Sequence, residues 1–513
     1  MDNQAIKQFS NTSRVRKPTK EKHHNTTTAV VIGSGIAGMA AAIRLAVQGI
    51  IVTVYEQNTT AGGKLSVFEE EGFRFDAGPS LFTQPENIEE LFRLAGEPIE
   101  QYFTYKKCDV SCNYFYENGR QVTAYTEAYK LAAELHEKLG EDEKAVTGYL
   151  SASQKLYDNI GSIFLNHSLH KRSTWLHSRI ATALRTVKPA YLFSTLNGYN
   201  QNRFASAEAT QLFNRYATYN GSSPFKAPAM LSLIPHLELN QGTYYPQGGM
   251  ISIAEALYKL AIKKGVKFQF NSNVQRIIET EGKAVGVVVN GQNILCDIVV
   301  SNVDAYFTYL RLLNKPVRAK KVLKQERSSS ALIFYWGINK KFDELGLHNI
   351  FFSKSYQQEF NAIFNSKKLF SDPTVYINIS SKHDAEHAPA GAENWFVMIN
   401  VPANTGQDWD QLKLQAREAV ISKLSRMLQQ DIASLITTER ILDPIGIEAA
   451  TASYQGSLYG TSSNSRMAAF FRHANFNRKI RQLYFCGGSV HPGGGIPLCF
   501  KSAKIVSELI INN

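Results

Sequence analysis

Gly33 and Gly487, 454 residues apart, each open a glycine-rich segment whose residue types and spacing suit chemistry. The first segment reads Ala29-Val-Val-Ile-Gly33-Ser34-Gly35-Ile36-Ala37-Gly38. The second reads Tyr484-Phe-Cys-Gly487-Gly488-Ser-Val-His491-Pro492-Gly493-Gly494-Gly495-Ile496-Pro497. In the first, Gly33 permits a sharp turn, Gly35 admits a phosphate to the backbone, and Gly38 lets the next helix pack close. Glu56 stands 23 residues beyond Gly33, near the ~20 expected of a carboxylate that accepts ribose hydroxyls. A 2′-phosphate would be repelled there, so the expected ligand is a dinucleotide with a free adenosine ribose.

These residues need particular elements to hold them. Thr28 to Ile32 is an apolar, β-branched run suited to a buried parallel strand. Ile36 to Gln48 reads as a helix, with Ala37, Ala40, Ala41 and Ala42 and no breaker after Gly38. Its N-terminus would turn unpaired N–H groups and a partial positive charge towards the phosphates. Gly49 ends it. Ile50 to Tyr55 is a second strand, with Glu56 and Gln57 at its tip. Arg44 and Gln48 interrupt the apolar character, so the stretch does not supply the ~20 apolar residues of a membrane span.

Further along, Gly62-Gly63-Lys64-Leu65 places two glycines and a cation where a second phosphate contact would fall. A surface turn with a solvated lysine is the other reading. Gly72 to Asp76 alternates apolar and polar residues and then turns at Gly78-Pro79-Ser80. At the far end, Leu483 to Cys486 reads as a strand, Gly487 and Gly488 allow a ligand against the backbone, and Phe500 to Ile511 reads as a helix. Pro497 suits that helix's first turn.

Together these motifs resemble the carotenoid desaturase branch of the FAD-containing amine-oxidase-like superfamily. The Gly33–Gly38 loop, Glu56, Gly62-Gly63-Lys64 and Phe75-Asp-Ala-Gly78-Pro79 match its N-terminal pattern. Phe485-Cys-Gly-Gly488 and His491-Pro-Gly493-Gly-Gly495-Ile496-Pro497 match its closing signature. The resemblance runs from Thr28 onward and is strongest at the two ends. It implies an α/β fold with a Rossmann-type FAD-binding domain and a discontinuous α+β substrate domain. It places Gly78-Pro79-Ser80 beneath the isoalloxazine and has Val274 pair its backbone with adenine. Gly495, Ile496 and Pro497 would turn a helix N-terminus to the flavin pyrimidine, where negative charge gathers on reduction.

The expected cofactor set is therefore FAD, held by residues 33–38, 56–57, 63–65, 78–80, 274, 487–488 and 495–497, and no metal. The chain divides in expectation into a disordered basic tail (1–27), FAD-binding segments (28–95, 242–305, 440–513) and substrate segments (96–241, 306–439). The implied reaction inserts a carbon–carbon double bond into an acyclic carotenoid, by hydride transfer to flavin N5 and proton loss from the neighbouring carbon. Leu498-Cys499 stands where phytoene desaturases usually carry Gly-Val. That departure resembles members acting at the 3,4 bond of 1-hydroxylated carotenoids, with phytoene or neurosporene as the alternative substrate. His236, Glu238 and His491 are polar candidates near the motifs; none is assigned as catalytic. The electron acceptor is oxygen or a quinone.

Composition limits the other classes. Five cysteines (Cys108, Cys112, Cys296, Cys486, Cys499) show neither a disulfide framework nor zinc spacing, which points to a reducing, cytoplasmic setting. The formal charge of +12 raises nucleic acid as a partner, but no nucleic-acid module is present. The tail carries a net +4 and lacks the apolar core of a signal peptide. Residues 151–200 carry Lys155, Lys171, Arg172, Arg179, Arg185 and Lys188 against Asp158 alone. Within them Trp175, Leu176, Ile180, Ala183, Leu184 and Val187 recur at helical spacing, the pattern of a membrane-surface helix or of one packed on its own domain. With the resemblance, this gives a peripheral membrane enzyme with a long apolar substrate. An amine oxidase, a nicotinamide dehydrogenase and a non-enzymatic prenyl-lipid chaperone of the same fold are rival readings. Aromatics Phe193, Tyr199, Phe204, Phe213, Tyr216, Tyr219, Phe225, Tyr244 and Tyr245 lie near the domain boundary, where a few would line a tunnel.

Overall fold

The computed structural model describes residues 27–176, 180–468 and 472–512. The basic tail, apart from Thr27, and Arg179 lie outside them. Two sheets organise the chain. The first is a five-stranded parallel sheet in the order Leu483–Phe485, Ile298–Ser301, Thr28–Ile32, Ile51–Tyr55, Lys267–Gln269. The register pairs Val31 with both Val54 and Val300, and Ser301 with Phe485. The opening and closing strands of the chain are thus separated by one strand, roughly 10 Å at the usual strand spacing. Both glycine motifs leave from the carboxyl ends of this sheet, where open α/β sheets bind ligands.

Helices cover the sheet because its strands are apolar on both faces. Ile36–Val47 has ten buried residues, Ile36 to Leu45. It packs against Ile251–Lys263 and Ile496–Ile511. The closing helix begins at Ile496, four residues before the apolar spacing alone announces it, because Pro497 occupies its first turn. The edge strand of the sheet is Lys267–Gln269, and the hairpin that follows it is Val274–Thr280 with Lys283–Val289.

The second sheet has seven strands in the order Ile436–Leu442, Ser330–Ile338, Glu393–Val401, Val375–Asn378, His348–Phe351, Val110–Phe115, Gln121–Tyr125. All neighbours are antiparallel except His348–Phe351 with Val110–Phe115. Alternation gives it two faces. Leu332, Phe334, Trp336, Trp395, Val397 and Ile399 pack into a core with Ala416, Val420 and Leu424 of the helix Trp409–Leu428. Ile333, Tyr335, Phe396, Met398, Tyr376, His348 and Ile350 point to the opposite face. Ile436–Leu442 pairs with Ser330–Ile338, so the boundary expected at 439/440 falls inside a strand of this sheet. Its ladder partner, and not the glycine motif further on, decides where it belongs.

The basic stretch also differs in detail from one regular helix. Arg172–Trp175, Ile180–Thr186 and Pro189–Phe193 are separate short helices, and residues 177–179 lie outside the description. No helix among the described residues is long and apolar enough to cross a membrane.

The tight seat of the first helix yields a test. A Cβ at position 38 would drive into the Gly33 carbonyl and stand 3.0 Å from Asn302 Nδ2. Gly38→Val should lower stability by about 1–3 kcal/mol, read by denaturant unfolding. An unchanged midpoint would show that helix and sheet are not in that close contact.

Candidate functional site

The first loop is built without side chains in the space it encloses. Gly33 has φ +94°, in the region glycine favours. A Cβ on Gly35 would stand 2.8 Å from Asn302 Nδ2. Gly35 is also the N-cap of Ile36–Val47 and no side chain caps it, so the first-turn N–H groups are left for a ligand. Glu56 is buried. Its Oε2 accepts from the Ser34 N–H (2.8 Å) and the Ser34 hydroxyl (2.8 Å), and its Oε1 from the Asn58 N–H (2.9 Å). The loop thereby fixes the carboxylate before any ribose arrives. The second turn follows: the Gly62 N–H donates to Ser34 O (3.1 Å).

The closing motif repeats the device. Gly487 has φ +103°, and a Cβ there would lie 2.7 Å from Asn302 Oδ1. A Cβ on Gly488 would lie 3.2 Å from the Gly494 Cα. Gly495, at φ +107°, caps Ile496–Ile511 and again no side-chain hydrogen bond closes the helix end. Asn302 sits between the two motifs, and its Nδ2 donates to Gly33 O (3.4 Å). Spacing arguments passed over this residue. Its signal was its place at the carboxyl end of the strand Ile298–Ser301, between the strands that precede each glycine turn.

All the residues expected to hold the cofactor line one cavity, except Ser34 and Gly38. Ser34 is turned to Glu56, and Gly38 faces the Gly33 carbonyl. The cavity has a volume of about 1520 Å³, above the roughly 300–1,000 Å³ of a pocket for one small ligand. It continues over the face of the seven-stranded sheet opposite its core, along Ile333, Tyr335, Phe396, Met398 and Ile350, to Trp175, Leu192, Phe193 and Met467. Of the aromatics singled out in the sequence, Phe193 and Tyr219 line it. Tyr199, Phe204, Phe213 and Tyr216 are core.

The cation expected against a phosphate, Lys64, donates from Nζ to Leu458 O (2.8 Å). It lines the cavity while tying the second turn to the last third of the chain. Burial pulls its ammonium down to about 8, against the opposing pull of Cys499 and Asp304. Ser80, expected beneath the isoalloxazine, hydrogen-bonds through its hydroxyl to Tyr376 Oη (2.8 Å).

The polar candidates resolve differently. His236 Nδ1 lies 3.0 Å from Asn240 Nδ2, and its backbone N–H donates to Ser153 Oγ (3.1 Å). Glu238 is held by the Arg215 guanidinium and by the hydroxyls of Ser111 (2.5 Å), Tyr216 (3.2 Å) and Tyr219. A carboxylate so fully engaged is a structural anchor. His491 lines the cavity with Nε2 on His167 O (3.0 Å), and burial pushes it down to about 3. Among the described residues no group of three or more His, Cys, Asp or Glu is placed to hold a metal ion.

The glycine cradles, the two uncapped helix ends and the buried carboxylate fit a flavin dinucleotide. Comparisons with known proteins agree. The model of the family described as flavin containing amine oxidoreductase matches residues 36–511. A 1-hydroxycarotenoid 3,4-desaturase of Flavobacterium sp. (strain P99-3) is 49% identical, with 94% of this chain and 99% of that protein covered. A phytoene desaturase of Fusarium fujikuroi is 31% identical over 95% of this chain and 89% of its own. A putrescine oxidase structure superimposes with TM-score 0.62 at 14% identity, over 95% of this chain and 99% of that one. A Rab GDI from Plasmodium falciparum does so at 0.52 and 13%, over 94% and 98%; at such identities the likeness is one of fold alone. The chain belongs to the flavin-containing amine oxidoreductase family, in its carotenoid desaturase branch.

Proposed function

We propose that this protein is an FAD-dependent desaturase of an acyclic carotenoid, acting at the 3,4 bond of a 1-hydroxylated substrate. The observation that carries the reading is the continuity of one cavity from both glycine motifs to a broad apolar sheet face, in a chain 49% identical to a protein of that activity. FAD would be held by residues 33–38, 56–57, 63–65, 78–80, 274, 487–488 and 495–497. It belongs to segments 28–95 and 242–305 and to the C-terminal segment that follows Leu442. When bound, FAD supplies the two-electron acceptor for a hydride.

The chain's own residues do the rest. The N-termini at Ile36 and Ile496 present backbone N–H groups to negative charge on the cofactor. Ile333, Phe396, Met398 and Ile350 hold an extended polyene and exclude water. One C–H bond of the substrate breaks with its electron pair and the adjacent carbon loses a proton, so the product gains one double bond. Conjugation spreads the positive charge that develops, so a strong base need not touch the carbon. The neutral His491 and the fully bonded Glu238 are consistent with that.

The cavity's outer rim supports peripheral membrane contact. Leu176, Phe193, Met467 and Trp175 are 84, 65, 47 and 41% exposed. Arg172 shares the short helix of Trp175, Arg466 Nη2 donates to Phe193 O (2.9 Å), and Arg185 and Lys188 nearby in sequence are exposed as well. Exposed apolar side chains in a basic stretch suit an anionic lipid surface, from which a lipid-dissolved substrate would enter.

Two experiments test this reading. FAD-loaded protein in liposomes should convert a 1-hydroxycarotenoid faster than phytoene or neurosporene, with a red-shifted product spectrum; an anaerobic arm with added quinone separates the two electron acceptors. Products from phytoene or neurosporene alone would reassign the substrate. Separately, the double variant Trp175→Asp/Phe193→Asp should weaken co-sedimentation with anionic vesicles by about tenfold. Unchanged sedimentation would remove this rim from the membrane contact.

A further inference from the structure

Among the polar side chains on the cavity wall, His348 and Tyr335 each carry a buried atom without a hydrogen-bond partner among the described residues, His348 Nε2 and Tyr335 Oη, and of these two the ring nitrogen is held in the more defined setting. His348 lies on the cavity face of the strand His348–Phe351, and it is 3% exposed. Asn378 Nδ2 approaches its Nδ1 at 3.2 Å and also donates to Leu347 O at 3.1 Å. The second bond fixes the amide orientation, so Nδ1 is the acceptor. Tyr376 Oη lies 2.8 Å from the same nitrogen. With Nδ1 accepting, the single proton of the neutral ring sits on Nε2. Burial, with the positive charge of Arg215 nearby, pushes this imidazole down to about 3 and keeps it neutral. Nε2 has no hydrogen-bond partner among the described residues.

The polar neighbours on this part of the wall are already engaged, Glu238 with Arg215, Ser111 and Tyr219 and Tyr376 with Ser80, and a buried N–H donor is costly unless something accepts from it. We propose that His348 Nε2–H donates to the tertiary hydroxyl of the substrate and so selects 1-hydroxylated carotenoids. The inference rests on the desaturase reading above.

Position supports the assignment. Ser80 Oγ to Tyr376 Oη to His348 Nδ1 is a chain of two 2.8 Å contacts, so His348 is one tyrosine away from the loop expected beneath the isoalloxazine. In the substrate the hydroxyl oxygen on C1 is separated from C3 by only C1 and C2, about 4 Å at ordinary bond lengths. A group that holds the oxygen near that loop therefore sets which bond lies against the flavin. An anchor at the far end of the tunnel would not.

The test compares a 1-hydroxycarotenoid with its unhydroxylated parent, by polyene binding from the shift in its visible absorption and by kcat/KM. Wild-type protein should bind the hydroxylated polyene at least about tenfold more tightly, as one satisfied buried donor implies. His348→Leu should remove most of that difference, and His348→Gln, which keeps an N–H, should restore part of it. Equal wild-type affinity for the two polyenes overturns the anchor without recourse to any variant. An equal loss on both substrates in His348→Leu, or loss of the preference in Tyr335→Phe instead, also overturns it. Binding and turnover of neither polyene by the wild type would instead sink the desaturase reading, and the anchor with it.

Discussion

Close backbone approach around Asn302 is the constraint on which the rest of this structure depends. Side chains at Gly35 and Gly38 would meet Asn302 Nδ2, and one at Gly487 would meet Asn302 Oδ1. The amide thus measures the gap between the first and last glycine turns, and only glycine fits on each side of it. Parallel pairing makes this possible. Ile298–Ser301 lies between Thr28–Ile32 and Leu483–Phe485, so residues from the beginning, middle and end of the chain leave the sheet side by side. A cofactor that bridged the turns would then be gripped by parts of the chain that no local segment could bring together.

The second sheet answers a different demand. A long polyene offers almost no hydrogen bonding, so its site must be apolar, extended and dry. A β-sheet provides this with a single alternation: one face buries Trp336 and Trp395 in a core, the other offers Ile333, Phe396 and Met398 to the cavity. Polar groups beside such a face are conspicuous. Glu238, on the helical turn His236–Asn240, is consumed by Arg215, Ser111 and two tyrosines. Polar contacts also join the two parts of the protein, among them the bonds from Ser80 to Tyr376, from Tyr245 to Asp384 and from Asn394 to Arg74 O.

How much of this was legible depended on the range of the interactions. The glycine turns, Ile36–Val47 and Glu56 are local: each follows from φ requirements, helix propensity and spacing along a few residues. The placement of the two motifs in one cleft rested on resemblance, because no local rule links Gly33 to Gly487. Asn302 escaped notice because its importance lies in what surrounds it and not in its type. His348 and Tyr376 were equally invisible: they sit on strands 375–378 and 348–351, whose pairing is set by a non-local ladder. The 439/440 boundary missed for the same reason, since the partner of Ile436–Leu442 lies about a hundred residues away, at Ser330–Ile338. The basic stretch showed helical periodicity across residues that the structure divides among short helices, a limit of reading period without caps.

The central claim is that one FAD molecule is held jointly by the opening and closing segments. The most direct measurement is FAD affinity of apoprotein carrying Gly487→Val, followed by quenching of flavin fluorescence, with the first glycine loop untouched. A Cβ there meets Asn302 Oδ1 at 2.7 Å, so the account predicts affinity weaker by at least about tenfold in a folded protein. Unchanged affinity would mean that the closing motif does not share the cofactor, and would contradict the account.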